Sequence, residues 1–168
     1  MRFELKHTFD ATIDSVVAAM FDPNLFDHLK SNMKTITKIE PIDRTEDDGI
    51  IRRRTRYTPV PLIKKIGPKT VPPGAMAFVE DSKFDKRAKR LEFENIPDMN
   101  TLRKLLVNKG SISFRELPGG KTERTVSGEL AVKVFLLGKI AERIIYGEAA
   151  KILNEEASAL ASFIKARG

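Results

Sequence analysis

Cysteine is absent from the 168 residues. That excludes a disulfide framework, a thiol nucleophile and any thiolate metal site. Tryptophan is absent too, and histidine occurs twice, as His7 and His28. Their separation suggests no metal site, and neither metal nor cofactor is expected. No apolar run approaches the roughly 20 residues of a membrane-spanning helix. The N-terminus, MRFELKHTFD, alternates polar and apolar residues without an apolar signal core, so it reads as mature protein and a cytoplasmic location is the default. Catalytic motifs are missing as well: there is no serine elbow, metal pair or phosphate-binding glycine loop.

What is present fits one globular domain spanning 1–168. Hydrophobic residues make up 41% and charged residues 32% of the chain, a balance that neither a disordered nor a membrane-spanning protein shows. The formal net charge is +7, and its distribution is uneven. Between Gly49 and Val79 there is no acid, while Arg52, Arg53, Arg54, Arg56, Lys64, Lys65 and Lys69 lie there. Such a basic strip meets nucleic acid, an anionic membrane or an anionic ligand, or it is a solvated outer strand. Nucleic acid ranks last, because Tyr57 is the one aromatic residue among the basic residues from Arg52 to Lys69 able to stack on a base.

Hydrophobic periodicity organises the chain. Arg2 to Phe9 alternates with Phe3, Leu5, His7 and Phe9 on one face, as a half-buried strand does. ATIDSVVAAMFDP follows, with Thr12 as N-cap and helical spacing through Met20; the Asp22–Pro23 step then opens a second short helix. From Lys34 the period becomes two. Strands are predicted at about Lys34–Ile42, Ile50–Thr58, Ala75–Phe84, Arg90–Ile96, Gly110–Leu117 and Glu123–Val134. Residues 59–74 hold five prolines and cannot form a regular central strand, and residues 97–109 can carry a helical turn or two. Leu136 to Arg167 reads as one long helix with an apolar stripe through Ile140, Ile144, Ile152, Leu160, Phe163 and Ile164. The order predicts an α+β fold, a curved antiparallel sheet whose concave face holds the C-terminal helix.

Two segments carry a resemblance. FELKHTFDATIDSVVAAMFDP resembles the opening of the START-like (SRPBCC, pollen-allergen-type) superfamily. SGELAVKVFLLGKIAERIIYGEAAKILNEEASALASFIKAR resembles the ending of a bacterial branch of it, where a strand of form G-x-L-x-V-K-V bends through glycine into the final helix. The resemblance implies a helix-grip fold, with about seven strands wrapped around a long helix and an apolar cavity between them. It also implies binding or transport of a hydrophobic small molecule such as a lipid or fatty acid, or alternatively a cyclase- or hydrolase-type activity in the same cavity. No catalytic residue carries over.

Candidate ligand-binding residues follow from strand parity. An apolar cavity would be lined by Phe78, Leu91, Phe93, Ile112, Phe114, Val126, Leu130 and Val132, facing Ile140, Ile144 and Ile145; a filled core uses the same residues. In IIRRRTRYT, Arg52, Arg54 and Arg56 share a wet face, which places Arg53 inward with Ile51 and Tyr57. A buried guanidinium must be paired, and Glu80 has the right parity. Arg53 is then either half of a structural pair or the anchor for an anionic head group. His7, on the Phe3 face, is a satisfied core residue or a ligand contact. Glu80, His7 and Tyr57 would supply acid–base chemistry in the enzyme alternative. Leu62, Ile63, Lys64, Lys65 and Ile66 mix aliphatic and basic side chains in the proline-rich loop, which suits a lid or weak contact with an anionic membrane, or a loop folded back on the core.

Overall fold

The alternation at the N-terminus becomes strand β1 (Arg2–Phe9), and helices α1 (Ile13–Met20) and α2 (Leu25–Asn32) follow. The Thr12 hydroxyl accepts from the Ser15 amide at 3.3 Å, capping α1. α2 opens at Leu25, two residues beyond Pro23, although the Asp22 carboxylate still accepts from the Asn24 amide at 2.8 Å. The computed structural model describes residues 1–61, 65–66, 69–70 and 74–167, without the side chains between 62 and 73.

β2 (Ile36–Asp47) and β3 (Ile50–Pro59) form a hairpin. The turn narrows to Asp48 and Gly49, both at positive φ (43° and 76°), the conformation that favours Asp-Gly in two-residue hairpins. Two-residue strands β4 (Lys65–Ile66) and β5 (Lys69–Thr70) pair with each other, apart from the main sheet. Then come β6 (Phe78–Asp85), β7 (Arg90–Pro97), the short helix α3 (Asn100–Leu105), β8 (Leu106–Leu117), β9 (Lys121–Val132) and α4 (Gly138–Arg167). β6 starts later than its sequence pattern suggests, because the Ala77 amide closes a turn on the Gly74 carbonyl at 2.9 Å. β8 starts earlier, because Leu106–Lys109 finds a partner in the end of β9.

The seven long strands make one antiparallel sheet in the order β1-β9-β8-β7-β6-β3-β2. This is the α+β architecture expected, with α1 and α2 linking the edge strands β1 and β2. α4 lies across the sheet and does two things along its length. Its C-terminal half packs Ala157, Leu160 and Phe163 into a core with Phe9, Val16, Leu29 and Phe84. Its N-terminal half leaves the sheet uncovered beneath it and roofs a cavity.

The inward face of α4 steps back from Leu160 through Glu156, Ile152, Ala149 and Ile145, at i−3 and i−4 spacing. Ile140 and Ile144 lie a third of a turn or more off that line and are 57% and 56% exposed. They do not extend the buried stripe, contrary to the expectation from sequence.

The basic strip also changes character in three dimensions. Arg54 has Asp43 at 3.5 Å and Asp81 at 3.9 Å, and Arg56 has Asp98 at 3.0 Å. The neighbouring strands supply the acids that the segment itself lacks. Leu62, Ile63 and Lys64, and the side chains of Lys65 and Ile66, lie outside the described residues.

Candidate functional site: a cavity beneath the C-terminal helix

The cavity has a volume of about 600 Å³, within the range of small-molecule sites. Its walls are mainly apolar, with Phe78, Leu91, Phe93 and Leu130 from the sheet and Ile145 and Ile152 from α4. Glycines help to shape the sheet side. Gly110 and Gly128 face each other across β8 and β9. A Cβ on Gly110 would come within 2.9 Å of the Phe93 ring, and one on Gly128 within 2.9 Å of the Phe3 ring. The bare backbone thus lets both rings lie against the sheet.

Into this apolar wall β3 and β6 set a charged pair. The Arg53 side chain is 13% exposed, and its guanidinium donates to the Glu80 carboxylate at 3.5 Å and to the Met20 carbonyl at 3.1 Å. It also lies 5.3 Å from the Phe21 ring centroid and 5.4 Å from that of Phe26. Burial pushes the Glu80 carboxyl above the ordinary range, with Arg53 opposing the shift. The Tyr57 phenol is raised by burial first and by Glu80 second, and its ring stacks on Phe78 at 5.5 Å.

A second pair sits on β9 and α4. Arg124 is 1% exposed and donates to both carboxylate oxygens of Glu156, at 3.1 and 2.5 Å, a bidentate arrangement that holds the guanidinium plane. Its other neighbour is His7, whose Nδ1 accepts from Arg124 at 3.3 Å while Nε2 donates to the Asn154 side-chain carbonyl at 3.0 Å. That assignment requires the neutral Nε2–H tautomer. Burial lowers the His7 pKa, and the Arg124 charge lowers it further. Among the buried polar atoms, Arg53 Nε, Arg124 Nε and Asn95 Oδ1 lack a partner among the described residues, and all three residues line the cavity.

The structure thus brings Arg53, Tyr57, Phe78, Glu80, Phe93 and Leu130 together around one cavity. Phe114 packs instead against the core cluster. His7 stands behind Arg124 with both ring nitrogens engaged, and Ile140 and Ile144 face outward. Parity reasoning extended to KTERTVSGEL would have found Arg124, which alternates with Thr122 and Val126 on the buried face of β9. Glu156 was legible as the one acid in line with Ile152 and Leu160. No group of metal-ligating side chains occurs among the described residues, and no described helix is long and apolar enough to cross a membrane.

No family model matches the sequence, and no curated protein does. Solved structures do match in fold. TTHA0849 of Thermus thermophilus superimposes with a TM-score of 0.71 at 15% identity, covering 100% of this chain and 99% of that one. The Zhui aromatase/cyclase of Streptomyces sp. R1128 gives 0.68 at 11% identity, covering 99% and 94%. A START superfamily protein of Mycobacterium smegmatis gives 0.57 at 11% identity, covering 99% of each chain. The chain has the START-like helix-grip fold over its full length. At these identities the likeness is one of fold, and function must be argued from the site.

Proposed function

We propose that this protein binds or transports a hydrophobic small molecule, a lipid, fatty acid or similar compound with one polar end, in the cavity beneath α4. The observation that carries this reading is an apolar space of about 600 Å³ with two largely buried arginines in its lining, the Nε of each without a hydrogen-bond partner among the described residues. The apolar body would lie along Phe93, Leu130 and Ile145, and Arg53 would take the polar end. An anionic group there would gain a charge-assisted hydrogen bond, and the burial that raises the Glu80 carboxyl makes Glu80 a weaker competitor for the guanidinium than an exposed carboxylate.

Native mass spectrometry of freshly purified protein should show mass added in ligand-sized steps. Anilinonaphthalene sulfonate, an apolar anion, should bind and lose about 10-fold or more in affinity with Arg53→Gln, the loss expected of a charged hydrogen bond. Nile red, which is neutral, should be nearly unaffected. If neither dye binds and no retained mass appears, the reading fails.

The second reading, a cyclase-type enzyme, draws on the burial-raised Glu80 carboxyl and on the fold shared with an aromatase/cyclase. A carboxyl whose pKa is raised by burial is better suited to general-acid work than an exposed one. In that case acid–base work falls to Glu80 and Tyr57, because the ring nitrogens of His7 are already engaged.

A further inference from the structure

Eleven large hydrophobic side chains are exposed among the described residues, and six of them fall within residues 134–144. Phe135 is 87% and Leu136 82% exposed at the bend between β9 and α4; Val134, Leu137, Ile140 and Ile144 continue the patch. Scattered single exposures are ordinary on a protein surface, but a contiguous group marks an interaction site. Leu136 also adopts a left-handed conformation, φ 63°. For a leucine this is strained, and in the free protein its exposed side chain gains no burial that would offset the strain. α3 adds to the same end of the molecule, because the Lys133 amide donates to the Leu105 carbonyl at 2.7 Å and Leu105 is itself exposed.

Cations surround this patch. Lys104, Lys133, Lys139 and Arg143 are all exposed, and none of them forms a salt bridge with a described residue. Glu142, the acid closest in sequence, is turned inward: it accepts from the N-terminal ammonium at 2.9 Å and from the Val132 amide at 3.1 Å. The surface is therefore apolar at its tip, with these four cations at its rim.

We propose that residues 133–144 form a docking surface for an anionic lipid bilayer, with Phe135 and Leu136 inserting at the headgroup boundary and Lys133, Lys139 and Arg143 resting on the lipid charge. The charge pattern selects this occupant over a second copy of the chain. A two-fold contact would set the cationic rim of one copy against the cationic rim of the other, whereas an anionic surface neutralises all of these cations. Docking this way also presents to the bilayer the end of the sheet where Pro97, Leu102 and Leu106 line the cavity. The proposal holds whatever occupies the cavity.

Because the chain contains no tryptophan, Phe135→Trp supplies a single reporter at the point of insertion. Its emission should shift to the blue with vesicles of phosphatidylcholine mixed with phosphatidylglycerol, and not with phosphatidylcholine alone. Co-sedimentation of the unaltered protein should follow the same preference and weaken with salt. Each cation near such a surface strengthens binding about fivefold, so Lys139→Gln/Arg143→Gln should weaken it roughly 25-fold. Phe135→Ser/Leu136→Ser should abolish it, with the circular dichroism and Tm of the folded protein retained, since both side chains are exposed. Absence of binding, or equal binding to neutral and anionic vesicles, overturns the proposal. So does a blue shift without vesicles accompanied by a doubled mass in solution, which would assign the patch to self-association.

Discussion

Arg124 and Glu156 show how one residue's environment sets the worth of its partner. A guanidinium 1% exposed carries a large desolvation cost that the bidentate carboxylate offsets. Glu156→Ala, which strands the charge, should cost about 3–5 kcal/mol in urea unfolding, and Arg124→Met/Glu156→Leu should recover most of that. A small loss in the single variant would mean that water reaches the guanidinium. His7, beside the same pair, has a pKa below its ordinary value. As pH falls from about 7 toward about 5, the unfolded chain takes up the His7 proton before the folded one, so this residue makes stability decline on acidification. Glu80, with its raised carboxyl, acts in the opposite sense, binding its proton more tightly when folded. The informative quantity is thus the difference between parent and variant: His7→Gln should reduce the acid loss seen in the urea midpoint. An unchanged pH profile would show that His7 is protonated equally in both states.

At the scale of elements, α4 is held at three places along its length. Glu142 ties its N-terminal end to the N-terminus and to β9. Glu155 accepts from the Lys34 and Thr35 amides, both at 2.9 Å, and from the Thr35 hydroxyl at 2.7 Å, fastening the middle to the start of β2. The C-terminal half is buried. Gly147 lies between the first two of these anchors. A glycine inside a helix calls for a reason such as close packing or space for a ligand, but Gly147 is exposed, and a Cβ there would meet nothing within 4 Å. Gly147→Ala should therefore raise stability by up to about 1 kcal/mol, the helix-propensity difference, without altering dye binding. Destabilisation would reveal a contact or a bend that needs the glycine.

Across the whole molecule the two ends differ in kind. One end has a packed core of aromatic and aliphatic side chains, and the other encloses an apolar space of about 600 Å³. Empty space forfeits dispersion contacts, so the roof over the cavity should open more readily than the core. In hydrogen exchange, amides of residues 152–164 should be protected more strongly than those of residues 141–149, and a retained apolar ligand should raise protection mainly in the latter. Uniform protection along α4 would mean that the helix opens only with the whole fold.

The order of elements, the strand parities and the inward turn of Arg53 toward Glu80 were determined by the sequence itself. Each depends on a local period of two or 3.6 and on the rule that a buried charge needs a partner. Three matters waited on the tertiary structure. The rotation of α4 turned Ile140 and Ile144 outward, because an apolar helix face wider than its contact leaves residues whose burial only docking decides. The acids that pair with Arg54 and Arg56 lie outside the acid-free segment, on or beside neighbouring strands, where a count along that segment does not reach them. The cavity itself is a difference between the curvature of a seven-stranded sheet and the position of one helix. The same apolar residues line a filled core or an empty space, and it is the distance between the two layers, which no residue type encodes, that separates them.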